Sequence, residues 1–342
     1  MIPAQPAPAQ ATRAGATAVA DWRTSWRDAI RDPRELLALL GLEGQSAQVS
    51  DAAAAQFPLR VPRGFAARMR HGDPDDPLLR QVLPRVDEDR VVPGFDLDAV
   101  GDGAARAATG VIHKYDGRAL LVATGSCAVH CRYCFRRHFD YAADTAASNR
   151  WADAIAWLRA DPGIREVLLS GGDPLSLSTA KLAEFTDAIR DLPGLRRLRL
   201  HTRLPVVLPE RVDAGLVDWI AGVPWPVTVV IHANHANEVD HEVLAALGRL
   251  RSAGAMLLNQ AVLLRGVNDH ADTLADLSER LFEGGVLPYY LHQLDRVAGT
   301  AHYEVDDARA RHLHSELQSR LPGYLVPRLV REVAGAPGKT PL

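Results

Sequence analysis

The chain has 342 residues, 47% of them hydrophobic and 24% charged, with a net charge of −3. That size suits one large α/β domain with extensions, or two domains. The weakly acidic balance supplies no global field for nucleic acid or anionic membranes, and no run of about 18 apolar residues is present to span a bilayer.

Residues 1–20, rich in Ala, Pro, Gln and Thr without a periodic apolar face, read as a disordered tail. They lack the basic and apolar regions of a secretory signal. Together with three free thiols, which suit a reducing compartment, this gives the expectation of a cytoplasmic protein. Over 21–105, Trp22, Trp26, Ile30, Leu36, Leu37 and Leu40 recur at helical spacing, with Asp32-Pro33 interrupting. Further short apolar pieces follow at 52–56 and 65–69, then four prolines among charges over 71–95. The expectation is a helical N-terminal extension.

From residue 118 the texture becomes regular. Apolar strand-like runs at 119–123, 167–169, 198–200, 227–231, 255–260 and 287–291 alternate with helical stretches at 151–159, 179–190, 209–220, 238–252 and 270–282. Six such β-α units imply a parallel sheet, because parallel strands need crossover helices. Continuous apolar character implies strands covered on both faces. Each run is followed at once by polar or glycine-rich residues: the Cys loop, Ser170 to Pro174, His201 to Arg203, His232 to His235, Asn259-Gln260, and His292 to Asp295. Functional groups after every strand point to the mouth of a barrel, since an open sheet uses mainly its switch point. The expected fold is a partial barrel of six β/α units over 106–300, with a short C-terminal segment over 301–342.

Cys127, Cys131 and Cys134 are the only cysteines, spaced C-x3-C-x2-C with Tyr133 before the last. Iron–sulfur clusters normally take four Cys, so three leave one iron open for a substrate or cofactor. The competing reading is a Cys3His zinc site completed by His130 or His138. Gly171, Gly172 and Asp173 suit a zwitterionic amino-acid moiety or a plain β-α turn. His232, His235 and His241 form a histidine-rich patch, read more readily as hydrogen-bonding groups than as metal ligands. Arg132, Arg136 and Arg137 fit a carboxylate, a phosphate or the charge of an anionic cluster. Asp295 and Glu332 are candidate anions for a cationic substrate or ordinary surface partners. Taken alone, Lys339 reads as a solvated terminal lysine.

The Cys motif, Ser170 to Leu175, Asn259 to Asp269 and the terminal Gly338-Lys-Thr-Pro341 together resemble the radical S-adenosylmethionine lysine 2,3-aminomutase family, from about residue 20 to the end. Residues 291–302 and the end at Leu342 resemble the branch that makes (R)-β-lysine for elongation factor P. The resemblance implies a partial (β/α)6 barrel. It implies that Cys127, Cys131 and Cys134 hold three irons of a 4Fe-4S cluster, with the fourth chelated by S-adenosylmethionine. Gly171, Gly172, Asp173, His232 and Gln260 are the implied contacts to that cofactor. Pyridoxal 5′-phosphate is the implied second cofactor, with Lys339 as its Schiff-base lysine and Lys114, Tyr115 and Arg118 on its phosphate side. Arg136 matches the arginine for the substrate carboxylate and Asp295 one acid for the far ammonium of L-lysine. Glu332 stands where the free-lysine mutases have the second acid, an Asp.

The implied reaction is a 1,2-amino shift giving β-lysine. The implied partners are a reductant protein such as flavodoxin or ferredoxin, the elongation factor P lysyl-ligase, and a second copy of the chain. Two rival readings are a mutase serving secondary metabolism or osmolyte synthesis, and a zinc-stabilised nucleic-acid-binding module. The acidic balance and the lack of aromatics among the basic residues count against the second.

Overall fold

A computed structural model of the chain describes residues 21–142 and 144–342; the tail expected over 1–20 lies outside them. The N-terminal part is built of short helices: α1 (Trp22–Arg27), α2 (Pro33–Leu39), α3 (Asp51–Gln56), α4 (Arg63–Ala66) and α5 (Pro77–Arg80). Asp21, Asp32, Ser50 and Asp76 accept from first-turn amides that would otherwise lack a partner. Pro33 and Pro77 sit in the first turn, where a missing N–H costs nothing. The buried faces, among them Ile30, Leu36, Leu37, Phe65 and Leu78, join the same core as the barrel helices.

Ten strands follow in one sheet, and their spatial order is their sequence order. β1 (Arg106–Ala108), β2 (Val111–Tyr115) and β3 (Arg118–Thr124) are antiparallel neighbours. From β3 the pairing turns parallel through β4 (Glu166–Gly171), β5 (Arg197–Thr202), β6 (Val227–Ile231), β7 (Met256–Val262), β8 (Leu287–His292) and β9 (Arg328–Arg331). β10 (Thr340–Pro341) returns antiparallel on β9. The crossovers carry α6 (Ala152–Ala160), α7 (Thr179–Ala188), α8 (Leu204–Val207) with α9 (Ala214–Gly222), α10 (His241–Ser252), α11 (Ala271–Glu283) and α12 (Asp307–Arg320). No helix among the described residues is long and apolar enough to cross a membrane.

Sequential order removes the switch point that a doubly wound sheet requires. Seven parallel strands laid flat would span roughly 30 Å at the usual inter-strand spacing. Yet a single cavity touches side chains from β2 at one side to the end of β9 at the other. The sheet is therefore rolled. Among the described residues no pairing joins β1 to β10, so the barrel is partial.

All six expected strands are present, and β9 adds a seventh, so the ladder runs on past residue 300. The expectation of strands apolar on both faces needs correction. On β5, Leu198 and Leu200 pack into the core while Arg199 and His201 face the cavity; on β8, Leu291 is core while Tyr290 and His292 face inward. The outer face is apolar because helices cover it, and the inner face is polar because it holds a site.

Candidate active site

The Cys loop leaves the end of β3 and is pinned to the end of β4 by backbone. Gly172 N donates to Thr124 O at 2.6 Å and Asp173 N donates to Ser126 O at 2.8 Å. A Cβ on Gly172 would lie 2.6 Å from Ser126 O, and one on Gly171, at φ +109°, 2.8 Å from Thr124 O. The two glycines thus let one backbone lie on another. Both also line the cavity, but the amides of Gly172 and Asp173 are already engaged by the loop.

Asp173 is engaged as well. Its oxygens accept from Leu175 N (3.0 Å), Thr202 Oγ1 (2.7 Å), Arg203 N (2.7 Å) and Leu204 N (3.0 Å). Burial pushes its pKa up to about 6, against the pull of those hydrogen bonds. The carboxylate fastens the turns after β4 and β5, which sequence reasoning had read as a ligand contact.

All three cysteines face a cavity of about 400 Å³. Burial, then the Cys131 thiol, raise Cys134 to about 11, with Arg136 and Arg137 opposing; burial, Asp173 and the other two thiols lift Cys127 well above its ordinary value. Buried thiols that repel one another as thiolates are a donor set for a positive centre, which reverses that balance. Cys131 Sγ accepts from Arg203 Nη1 at 2.7 Å, and Arg203 is itself held by Glu238 (2.8 Å) and Gln81 (2.7 Å). Neither candidate zinc histidine joins the thiols: His130 Nδ1 is 2.7 Å from Pro58 O and His138 Nε2 is 3.1 Å from Ala298 O. His235 Nδ1 accepts from Asn237 N at 3.1 Å. Among the described residues, no three His, Cys, Asp or Glu side chains are gathered around one ion. Three thiols on the wall of one cavity fit an iron–sulfur cluster, where each thiolate takes its own iron.

Across the cavity, the antiparallel pairing of β10 with β9 brings Lys339 opposite the barrel wall. Its Nζ is ion-paired with Glu332, which also accepts from Tyr115 Oη at 2.7 Å and lies 3.8 Å from Lys114 Nζ. Burial and the Glu332 carboxylate raise the Tyr115 phenol, and Arg118 lies over the Tyr115 ring at 4.6 Å. Lys114 donates to Val100 O and pairs with Asp102, each at 2.7 Å. Asp102 also pairs with Arg136 Nε at 2.7 Å, and Arg136 Nη1 donates to Ser170 Oγ at 3.1 Å. Burial alone would raise Asp102, but Arg136 and Lys114 outweigh it and hold the carboxyl below its usual range.

Sequence reasoning missed Asp102 and Glu238, and placed Arg203 on the rim without a role; the partners that give them meaning, Arg136 for Asp102, Cys131 for Arg203 and Arg203 for Glu238, lie 34 or more residues away. Asp295 differs from Glu332. It lines the cavity with no hydrogen-bonding or ion-pair partner for its carboxylate among the described residues, and burial lifts it to about 7, with Lys339 opposing and Glu332 adding.

His201, His232 and His292 line the same cavity as the thiols and Lys339, and their buried Nε2 atoms have no partner among the described residues. Burial, then Arg203, lowers His232 to about 4; burial also drives His201 and His292 well below the usual imidazole range, so all three are neutral. Gln260 lines the same wall. Buried polar atoms without partners mark a place that a polar ligand completes. Thiols, a lysine amine and unpartnered imidazoles around one cavity fit an iron–sulfur cluster, an adenosyl cofactor and an aldehyde cofactor.

A profile of the radical SAM superfamily matches residues 121–277. An L-lysine 2,3-aminomutase of Escherichia coli (strain K12) is 47% identical over 323 residues, 94% of each chain. A protein of the same name from Haemophilus influenzae is 43% identical, over 94% of this chain and 95% of that one. One from Clostridium subterminale is 32% identical, over 94% of this chain and 77% of that one. With these likenesses covering 94% of its length, the chain belongs to the lysine 2,3-aminomutase family of the radical S-adenosylmethionine superfamily.

Proposed function

We propose that the protein isomerises L-lysine to β-lysine by moving the 2-amino group to C3, using a 4Fe-4S cluster, S-adenosylmethionine and pyridoxal phosphate. The observation that carries this reading is the position of Lys339, which shares one cavity with three thiols more than 200 residues earlier in the chain. When bound, the cluster with S-adenosylmethionine supplies a hydrogen-abstracting radical, and pyridoxal phosphate a carbonyl that takes up an amino group.

The protein's own part is positioning. Cys127, Cys131 and Cys134 hold the cluster, and Gln260 with the neutral imidazole of His232 lines the adenosyl side. Lys339 offers an amine, with Lys114, Tyr115 and Arg118 beside it for the phosphate cofactor. Arg136, fixed by Asp102 and Ser170 through Nε and Nη1, has Nη2 without a hydrogen-bond partner among the described residues and offers it to the substrate carboxylate. Asp295, the unpartnered carboxylate, receives the distal ammonium. A walled cavity keeps water from a reactive radical and holds the reacting groups at contact distance.

The test is anaerobic incubation of reconstituted protein with lysine, S-adenosylmethionine, pyridoxal phosphate and a reductant, with chiral analysis of the product. The expected outcome is (R)-β-lysine. Cys134→Ala should abolish the cluster absorbance and turnover together, whereas Lys339→Ala should keep the cluster and lose the pyridoxal imine band. An imine band persisting in the Lys339 variant would remove that residue from the cofactor site. The destination proposed for the product, on the resemblance of residues 291–302, is elongation factor P. Lysine fed through this enzyme and the lysyl-ligase should appear as β-lysyl on the factor, and free β-lysine without transfer would favour a metabolic role.

A further inference from the structure

The proposed chemistry requires an electron from outside the protein, and the structure indicates where it arrives. The tip of the Cys loop is stapled to residues 57–60 of the helical extension. His130 N donates to Arg60 O at 3.1 Å, its ring stacks on Phe57 at 4.9 Å, and its Nδ1 lies 2.7 Å from Pro58 O. Phe57 also lines the cavity that holds the thiols, so this one stretch of chain has the cluster site on one side. On the other side it carries a positive face. The Arg60 guanidinium lies 4.4 Å over the Trp26 ring and donates to Trp26 O at 2.8 Å. Arg31 acts on both Arg60 and His130, and Cys127 is within electrostatic reach of Arg60. No carboxylate does the same for Arg60.

Arg27 and Arg31 are exposed and have no ion pair among the described residues, and Arg27 meets only Thr24 Oγ1 at 3.1 Å. Each has an exposed acid beside it in sequence, Asp28 after Arg27 and Asp32 after Arg31, and Asp32 caps α2 through Arg34 N. The positive charge is concentrated at Arg31 and Arg60, where no carboxylate acts on the Arg60 guanidinium, on a chain of net charge −3.

We propose that the face formed by Arg27, Arg31 and Arg60, beside the neutral ring of His130, is the docking surface for an acidic one-electron carrier protein, a role that rests on the cluster reading above. One electron passes from the reduced carrier to the cluster; the carrier is oxidised by one electron, the cluster is reduced by one, and no bond forms. Complementary charge raises the rate of encounter more than it deepens affinity, and such steering weakens with salt. The other hollow beside the Cys loop, near His138, offers exposed Val91 and Leu97, but the charges on its lining, Asp89 and Arg90, are of opposite sign, and Glu88 there is buried and paired with Arg132 and Arg137, so it presents no positive face.

The experiment follows cluster bleaching by anaerobic stopped flow after the loaded enzyme is mixed with flavodoxin hydroquinone, across a range of ionic strength. In the double variant Arg27→Glu/Arg31→Glu, the second-order rate constant should fall tenfold or more at low salt, and its salt dependence should flatten. Reduction by methyl viologen radical, a small cation that needs no docking face, should not slow. An unchanged flavodoxin rate in that variant, or a tenfold loss in Arg90→Glu instead, would overturn the docking surface. A wild-type protein with no chromophore that the viologen can bleach would overturn the cluster reading and the docking surface with it.

Discussion

The two carboxylates that face Lys339 differ in what they already hold. Glu332 is tied to Lys339 and Tyr115, while Asp295 has no partner and is raised to about 7. A carboxyl raised above its unfolded value of about 3.9 binds more protons folded than unfolded between those two values. Stability therefore falls as pH rises through about 4 to 7, and the burden is full above 7. Asp295→Asn should relieve it: the apoprotein variant should melt about 1–3 °C above wild type at pH 8 and level with it near pH 4. Binding runs the other way, because only the ionised form receives an ammonium. Wild-type KM for lysine should fall as pH rises through 7. The Asn variant should show a KM at least tenfold higher at pH 8 with no such dependence, since losing a charge partner costs about 2 kcal/mol or more. Equal KM values at pH 8 would take Asp295 out of the ammonium site. The cysteine triplet was legible from composition alone, whereas Lys339 was legible only by resemblance, since nothing local separates it from a solvated terminal lysine. Asp102 was not legible at all: its meaning lies in Lys114 and Arg136, 12 and 34 positions away.

Among the elements, the loop after β3 and the turn after β4 act as one piece, because Gly171 and Gly172 let two backbones touch. Gly172→Ala would place a methyl 2.6 Å from Ser126 O and 2.8 Å from Gly125 C. Backbone atoms cannot swing aside like a flexible side chain, so the Cys loop must shift, at a cost of roughly 1–3 kcal/mol. Iron per chain after anaerobic reconstitution should drop by at least half while far-ultraviolet circular dichroism is kept. Full iron content in this variant would show that the loop has slack. The sequence pattern located the strands well because their outward residues alternate with helices of matching period. It missed β9, whose four residues begin and end in Arg, and the pairs β1–β2 and β10–β9, which are short edges set by neighbours. It also misread the inner face. Arg199, His201 and His292 look like interruptions of apolar runs until the barrel closes around them.

For the molecule as a whole, the helical extension is not a separable cap. Gln81 reaches both Glu238 (3.0 Å) and Arg203 (2.7 Å), and Arg68 donates to the carbonyls of Val206 and Glu238, each at 2.7 Å. Glu88 neutralises two arginines of the Cys loop, Arg132 at 2.6 Å and Arg137 at 2.7 Å, with all three side chains buried. Removing one partner from such a group leaves buried charge uncompensated, at about 3–5 kcal/mol each. The apolar faces of α2 and α5 would leave a matching area of barrel open to water. A fragment starting at residue 106 thus loses Glu88, Gln81 and Arg68 together, a combined cost comparable to the 5–15 kcal/mol that holds a typical domain folded. Residues 106–342 expressed alone should be insoluble, or soluble without near-ultraviolet circular dichroism and without bound iron. Co-expression with residues 21–105 should restore both signals if the extension acts by supplying these partners. A soluble 106–342 fragment that binds iron by itself would show that the barrel carries its own stability and that the extension serves only the surface around Arg31 and Arg60.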